Sequence, residues 1–406
     1  MVVVPARILP TPIIQYSKRT TEVEKGKGQW NLRSQRFYKG CELKRLLVVS
    51  FTRARDRAYT PENIARLISQ FRETCEDVGI DHTKSDATAC REEKIDVNGS
   101  GTNIEPLFRK YSTSKPNLML VILPDEIKDL FQRVKYLGDL KAVNTRLGGV
   151  NHVLPKDALK WLWNGELPAM LVGMDVTHPS PSSAQGAPSM AAVVASCDGS
   201  FMNYPGSLRI QEKNEMIDDL KGMFAERLSL FKRNVGSVPK TIIIYRDGVS
   251  EGQYYHVLSQ ELPKILDACA EFEPQYRPSI TLVVVGKRHH TRFYPTEDNS
   301  ADDRKNCLPG TVVDRGITDV YNFDFFLQAH KALQGTARPA HYFVLRCENG
   351  YSADDLQRMS IMDTTSDAMT ESAPGSKETP KEVFDRAARL WGDGIHRDLI
   401  HTMFYI

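Results

Sequence analysis

Two aspartates follow apolar segments that have the pattern of buried strands. Asp175 comes late in "AMLVGMDVTHP", and Asp247 ends the apolar run in "KTIIIYRDG". A lone buried carboxylate is costly, so each must be solvated, paired or bound to a metal. If the two strands are neighbours in one sheet, their ends lie about 5 Å apart and the carboxylates could share a divalent ion. Either aspartate alone is better explained as the cap of the following turn, whereas two in one sheet favour a metal site.

A third carboxylate is expected from the helix that connects these strands. Apolar residues at helical spacing predict a helix over residues 215–233, with Glu215 at its start and Glu212 as a competing candidate. The alternative is that a Glu in the first turn simply complements the helix dipole. Carboxylate ligands favour Mg²⁺ or Mn²⁺. Two such ions could hydrolyse a phosphodiester, one activating water and the other stabilising the leaving oxygen.

A basic segment, "GKRHHTRFYP", follows another apolar strand. Lys287, Arg288 and Arg292 suit contacts to phosphates, which position a nucleic acid without reading its sequence. The alternative is a solvated basic turn. His289 and His290 are adjacent and would point in opposite directions, so chelation of one metal by both is disfavoured.

Two further basic residues lie in the first half of the chain. Lys135 ends a predicted amphipathic helix, and Arg146 precedes Gly148 and Gly149, whose backbone amides could approach a phosphate closely. A solvated charge explains either residue equally well when it is taken alone.

The first half of the chain has the pattern of a parallel α/β layer. Residues 43–52 and 117–124 contain apolar runs that predict strands, and Thr60 and Pro61 begin a helix that Gly79 ends. The polar residues 80–103 are predicted to form a loop. Alternating strands and helices indicate a parallel sheet.

The second half predicts an arrangement that brings the two aspartates together. After the Asp175 strand come two short strands, "SMAAVVASCDGS" and "YPGSLRIQ", then the helix over 215–233 and the Asp247 strand. This order is that of a ribonuclease-H-like core. We therefore expect an α/β protein with two domains.

Composition limits the function classes. The chain has 406 residues and a formal net charge of +2, so a nucleic-acid site must come from the local arrangement of its 53 lysines and arginines. Its seven cysteines are scattered and form no CxxC pair, which disfavours structural zinc and a disulfide framework and favours a reducing compartment. No apolar segment approaches the length of a membrane span. We expect a soluble intracellular protein.

The sequence resembles the Mid and Piwi portions of eukaryotic-type Argonautes over nearly its whole length. The resemblance rests on "GMDVTHPSP", "IIIYRDGVSEGQ", "VVVGKRHHTRFYP", "LPGTVVDRGITD", "FDFFLQAHKALQGTARPAHYFVL" and "LGGVNHVL". It implies a linker (1–40), a Rossmann-like Mid domain (41–164) and, packed on it, a ribonuclease-H-like Piwi domain (165–406). The family's N and PAZ domains have no counterpart here, so the chain is similar to the C-terminal lobe.

This resemblance implies a cytoplasmic protein of RNA interference that binds a guide RNA. Mid would hold the guide's 5′ phosphate, and Piwi would hold the guide–target duplex and cut the target with Mg²⁺. The implied partners are a small guide RNA with a 5′ phosphate, a complementary target RNA and proteins of the silencing complex. We expect a monomer that does not contact a membrane. The alternatives are a guide-binding module without slicer activity and a ribonuclease-H-like nuclease without a guide.

Carried over to matching positions, the resemblance assigns residues to three sites. Asp175 and Asp247 become metal-binding aspartates, and Glu215 becomes the inserted glutamate that completes the catalytic set. The 5′-phosphate end of the guide would be bound by Lys135, Phe131 and Arg146. The guide backbone would be contacted by Lys287, Arg288, His290, Arg292 and His341.

The sequence departs from the family pattern in two ways. Phe131 stands where the family has a tyrosine; it can stack on the first guide base but cannot donate a hydrogen bond. Two internal segments of the family are also absent, one between Leu140 and Val143 and one between Ser360 and Ile361. The second normally carries the fourth catalytic residue, an Asp or His, and Asp363 beyond it is not assigned to that role.

Overall fold

The computed structural model describes residues 2–24, 34–52, 61–82, 89–94, 118–122, 149–155, 168–180, 183, 185–332, 334–362 and 384–385. The described residues divide into two compact units. The larger lies within Met1–Ile14, Thr20–Asn31 and Val153–Tyr405, and the smaller lies mainly within Gln15–Arg19 and Leu32–His152. Among the described residues, no helix is both long enough and apolar enough to cross a membrane.

Three short strands lie near the start of the chain. They are β1 (Arg7–Ile8), β2 (Ile13–Gln15) and β3 (Thr20–Glu22). β2 and β3 form a two-stranded sheet, and β1 pairs antiparallel with residues 311–312 at the edge of the large sheet. The segment predicted to be a linker therefore contributes an edge strand to the larger unit.

The smaller unit is built on a parallel sheet. Its described elements are β4 (Leu46–Thr52), α1 (Pro61–Val78), β5 (Ala89–Lys94) and β6 (Leu118–Ile122), and the strand order is β5-β4-β6. Gly79 adopts a φ of +90° directly after α1, a left-handed conformation that glycine tolerates, and it ends the helix as predicted. The predicted loop over residues 80–103 is wrong in part, because it contains β5. That strand has the sequence "ACREEK" and lies at the edge of the sheet formed by the described strands. Edge strands tolerate charged residues, so this strand lacks the apolar pattern by which strands are predicted.

The larger unit is built on one mixed sheet of nine described strands. After β1 these are β7 (Ala169–Thr177), β8 (Ser189–Ala195), β9 (Gly206–Gln211), β10 (Thr241–Asp247), β11 (Ser279–Gly286), β12 (Thr311–Val313), β13 (Asp324–Gln328) and β14 (Ala340–Cys347). The order across the sheet is β1-β12-β13-β14-β11-β10-β7-β8-β9. β7, β10 and β11 are parallel neighbours, while β8, β9 and β14 run antiparallel to their partners. This is the predicted ribonuclease-H-like order.

Both faces of the central strands are covered. Along β10, Ile242 and Ile244 pack in one apolar cluster, whereas Ile243 and Tyr245 pack in the cluster on the opposite face. The first cluster includes residues of α2 (Leu220–Val235) and α3 (Leu262–Phe272), and the second includes residues of α4 (Ala353–Met362). Burial on two faces explains why the strand reads as a continuous apolar run.

The predicted helix over residues 215–233 begins later than expected. α2 starts at Leu220, with Asp219 as its N-cap residue, and ends at Val235, followed by the C-cap residue Gly236 with a φ of +86°. Met216 and Ile217, which fit the helical period, are buried but lie in the loop before the helix. The prediction was wrong at this boundary because side chains from elsewhere bind the loop's backbone groups and so replace helical hydrogen bonds.

The helix after β10 changes its winding along its length. A 3₁₀ turn (Glu251–Gln253) leads through a short α-helical turn (Tyr254–His256) into a π-helical turn (Val257–Glu261), and α3 then continues to Phe272. Single π turns inside α-helices are frequent at functional sites. Glu261, the last residue of the π turn, is fully buried.

Candidate active site at the ends of two parallel strands

The two predicted aspartates lie side by side on neighbouring strands. β7 and β10 pair in parallel up to Met174, which lies opposite Arg246, and Asp175 and Asp247 are the next residue on each strand. The prediction that their strands are neighbours is confirmed. Asp247 is the last residue of β10, whereas β7 continues to Thr177, so Asp175 lies just inside its strand.

Each aspartate also binds the backbone that follows it. Asp175 Oδ1 accepts a hydrogen bond of 2.8 Å from the Val176 amide, and Asp247 Oδ1 accepts one of 2.8 Å from the Gly248 amide. These contacts are the local capping that we considered as the alternative to a metal site. They involve one oxygen of each carboxylate, so capping fixes the orientation of the carboxylates and leaves each a second oxygen.

The site has a surplus of negative charge. Burial, and then the negative charge of Asp247, raise the pKa of Asp175 above its ordinary value. The Val176 amide and the positive charges of Arg246 and Lys287 oppose that rise in pKa. A carboxylate in this position gains from any further cation that binds beside it.

Gly248 allows the carboxylates to approach one another. Its φ is +91°, and a Cβ atom added there would lie 3.2 Å from Asp175 Oδ1 and 4.0 Å from Glu215 Oε2. Glycine is the residue that tolerates both the left-handed backbone and the close contact. Asp175, Asp247 and Glu215 therefore border the same turn.

Glu215 reaches this turn from a loop rather than from a helix. Its Oε1 lies 2.8 Å from His178 Nε2, and His178 Nδ1 lies 2.7 Å from Ser189 Oγ. Arg246 donates a hydrogen bond to the Glu215 backbone carbonyl. The competing candidate, Glu212, is exposed in the same loop. Sequence reasoning missed His178, whose available signal was its position three residues after Asp175.

The chemistry of these donors suits a hard divalent cation, but their present arrangement does not form a three-ligand site. Three carboxylates supply the oxygen ligands that Mg²⁺ and Mn²⁺ prefer. The Lys287 ammonium contacts Asp247 Oδ2 at 2.9 Å, so a cation already balances charge at this position. In the described part of the chain, no three His, Cys, Asp or Glu side chains are arranged so that they could hold a metal ion. Glu215 is instead directed to His178, and Asp247 to Lys287.

The basic segment after β11 divides into exposed and packed residues. Lys287, Arg288 and His290 are exposed, whereas Arg292 is half-buried and donates to the backbone carbonyls of His289 and Thr291. Arg288 and His290 suit phosphate contacts in this conformation, whereas the Lys287 ammonium is paired with Asp247. Arg292 would have to exchange its backbone partners to make one.

His289 and His341 are packing residues in this structure. His289 is bonded through Nε2 to the Pro339 carbonyl at 2.9 Å, and burial lowers its pKa. His341 Nε2 lies 2.6 Å from Asp324 Oδ2, and its ring stacks on Phe326 with 4.3 Å between ring centroids. The predicted guide contact from His341 would therefore compete with this hydrogen bond to Asp324.

The other predicted site residues lie outside the described residues. These are the residues assigned to the guide 5′ phosphate, Phe131, Lys135 and Arg146. Asp363, to which no role was assigned, also lies outside them. Ser360 and Ile361, which flank that second segment, are consecutive residues of α4, and Ser360 is buried.

The fold defines the class to which the chain belongs. A mixed sheet of ribonuclease-H-like order occupies the larger unit, and residues 121–366, more than half of the chain, match the Piwi domain family. The chain belongs to the Piwi-domain family of Argonaute proteins and has the fold of an Argonaute C-terminal lobe.

The chain is also similar to individual Argonaute proteins. The chain is 34% identical over 408 residues to protein argonaute PNH1 of Oryza sativa subsp. japonica, a match that covers 88% of this chain and 41% of that protein. The structure of the C-terminal lobe of a budding yeast Argonaute superposes with a TM-score of 0.76 at 24% identity, covering 99% of this chain and 95% of that one. Kluyveromyces polysporus Argonaute, solved with a guide RNA, gives a TM-score of 0.77 at 24% identity over 99% of this chain and 57% of that one. The chain thus spans about two fifths of the length of its rice relative.

Proposed function

We propose that the chain is the part of a small-RNA-guided silencing protein that anchors the guide's 5′ phosphate and cleaves complementary RNA. The observation that carries the proposal is the placement of Asp175, Asp247 and Glu215 around the Gly248 turn. Membership of the Argonaute family supports guide binding, and the relative solved with a guide RNA shares this fold. The whole protein would act in the cytoplasm, as a monomer, with other proteins of a silencing complex.

Mg²⁺, or Mn²⁺ in its place, is the proposed cofactor. Asp175 and Asp247 would hold it, with Glu215 as the third carboxylate. When bound, the metal would supply activation of the attacking water and stabilisation of the leaving oxygen. His178 would hold the Glu215 carboxylate in place through its Nε2 contact.

Guide binding would use residues of both predicted domains, Mid and Piwi. Lys135 and Arg146 would contact the 5′ phosphate, and Phe131 would stack on the first base. Arg288 and His290 would contact guide phosphates from the exposed turn after β11, and Lys287, Arg292 and His341 would do so after exchanging their present partners. These contacts would set affinity and orientation, while sequence would be read by base pairing.

Cleavage by the full-length protein tests this proposal. Loaded with a 5′-phosphorylated guide, the protein should cut a complementary RNA in Mg²⁺ and not in EDTA. Asp247→Ala and Glu215→Ala should each lose cleavage by at least about a hundredfold and keep the guide, whereas Glu212→Ala, in the same loop but exposed, should cleave normally. Equal cleavage by Asp247→Ala and the wild type would refute the proposed site.

A non-cleaving silencing module is the second candidate. It is favoured by the missing segment that normally carries a fourth metal-site residue, and by the absence of a three-ligand metal geometry among the described residues. This candidate predicts guide retention with no cleavage by the wild type in Mg²⁺ or Mn²⁺. A guide-free nuclease would instead bind 5′-hydroxyl and 5′-phosphate RNA equally well.

A further inference from the structure

The loop that carries Glu215 is held by side chains from other elements. Gln211 Nε2 donates to the carbonyls of Asn214 and Met216, at 2.9 and 2.8 Å, and its Oε1 accepts from the Asp218 amide at 3.2 Å. Lys264 Nζ donates to the Ile217 and Asp218 carbonyls at 2.9 and 3.1 Å. The loop backbone is thus bonded to a side chain at the end of β9 and to one on α3, and α2 begins after it.

Glu261 makes the central contacts of this arrangement. Its side chain is fully buried, and Oε1 accepts a hydrogen bond of 3.0 Å from the Ile217 amide. The Arg246 guanidinium donates to the same carboxylate twice, from Nε to Oε2 at 2.9 Å and from its terminal nitrogen to Oε1 at 3.1 Å. One carboxylate therefore binds both the loop backbone and the buried arginine beside Asp247.

Arg246 links Glu261 to the two chain segments that form the acidic site. It donates to the backbone carbonyls of Glu215 and Asp247, so it contacts both segments that carry proposed ligands. Its positive charge also acts on Asp175. Without a partner carboxylate, that charge would compete with a metal ion for the same three side chains, because like charges at short distance repel.

The buried pair is costly for a role in stability alone. Removing two charges from water carries a desolvation penalty, and apolar residues of similar volume often replace such pairs without loss of stability. The pair lies at the end of the π turn, where Glu261 faces inward. The Glu261–Arg246 pair is thus better explained by the loop and strand end that it positions than by a contribution to the stability of the fold.

We propose that Glu261 is a positioning residue that fixes the Glu215 loop against the acidic site and neutralises Arg246. This inference rests on the proposed function for its catalytic consequence, because Glu215 must act at the metal site. Its structural consequence is independent of cleavage. Loss of the Glu261 carboxylate should loosen the loop around Ile217 while leaving β10 and the guide contacts in place.

Amide hydrogen exchange of the full-length protein tests the structural consequence. In Glu261→Gln, the Ile217 amide should exchange at least about tenfold faster than in the wild type, while the Ile243 amide in β10 is unchanged. The control is Glu271→Gln, which breaks the exposed 2.6 Å contact to Lys221 between α2 and α3 and should leave Ile217 protected. Unchanged Ile217 exchange in a folded Glu261→Gln protein would overturn the proposal.

Kinetics separate positioning from general damage. Single-turnover cleavage by Glu261→Gln should fall at least about tenfold, with the guide dissociation constant within about twofold of wild type. If the wild type does not cleave RNA, the proposed function fails. The hydrogen-exchange result then decides by itself whether Glu261 positions the Glu215 loop. If Glu261→Gln does not fold, the double variant Arg246→Met/Glu261→Leu decides: rapid Ile217 exchange in that folded protein supports the proposal, and a protected Ile217 amide overturns it.

Discussion

At the scale of single residues, the acidic site has an excess of negative charge that Lys287 and Arg246 offset in part. Asp175 lies beside Asp247, and Lys287 contacts the Asp247 carboxylate. The sequence revealed both aspartates, because an acidic residue after an apolar strand is visible in the pattern. It could not reveal His178, Arg246 or Glu261 as their supports, because those roles depend on contacts between residues distant in the chain.

Asp175→Asn should stabilise the protein in EDTA at neutral pH. The folded state raises the pKa of Asp175 above its ordinary value of 3.8, so the ionised side chain costs stability as the pH rises through that range. The gain in melting temperature should therefore be full at pH 7 and vanish below pH 3.8. Thermal denaturation measures it.

Asp303→Asn is the matched control for that experiment. Contact with Lys331 lowers the pKa of Asp303, so its substitution should not stabilise the protein at neutral pH. A wild-type melting temperature that equals or exceeds that of Asp175→Asn at pH 7 in EDTA would contradict the unfavourable charge of Asp175.

Lys287→Ala should change metal and guide binding in opposite directions. The ammonium competes with a cation for Asp247, so its removal should lower the Mg²⁺ concentration at half-saturation. Loss of one phosphate contact should also weaken guide binding and reduce its salt slope by about one. Calorimetry with Mg²⁺ and filter binding with guide RNA measure the two effects. Lys305→Ala, which removes an exposed lysine paired with Asp298, should change neither, and unaltered Mg²⁺ binding in Lys287→Ala would contradict the competition.

At the scale of elements, the turn after β10 and the loop before α2 determine whether the carboxylates meet. The strands β7, β10 and β11 were predicted from their apolar runs, and β8 and β9 as short strands joined by turn residues. The start of α2 was predicted too early, because the apolar spacing of Met216 and Ile217 fits a helix as well as it fits a buried loop. Hydrogen bonds between the loop backbone and the side chains of Gln211, Glu261 and Lys264 decide between the two conformations, and those of Glu261 and Lys264 join residues distant in the chain.

Gly248→Ala should destabilise the protein more than Gly236→Ala. Both glycines have a left-handed backbone, so each alanine costs about 1–2 kcal/mol for conformation. At Gly248 the new methyl group would also lie 3.2 Å from Asp175 Oδ1, whereas at Gly236 nothing lies within 4 Å. Crowding should add about 1 kcal/mol at Gly248. Denaturant unfolding of both variants measures the difference, and equal losses would show that the turn does not require the close approach.

At the scale of the whole molecule, the near-neutral net charge of +2 means that the proposed RNA binding must come from local basic surfaces. The fold class and the family could be predicted from long sequence motifs in a fixed order, and the sheet order confirmed them. The charged strand β5 could not be predicted, because its sequence does not alternate between apolar and polar residues. The chain covers about two fifths of its rice relative, so the proposed cleavage is tested on the full-length protein.

Divalent-metal binding tests the central claim most directly. Titration of the full-length protein with Mn²⁺, followed by the loss of the free-ion electron paramagnetic resonance signal, should show saturable binding in the wild type and in Glu212→Ala. Asp247→Ala and Asp175→Ala should each weaken that binding by at least about tenfold. Wild-type Mn²⁺ affinity in both aspartate variants would contradict a metal site at the ends of β7 and β10.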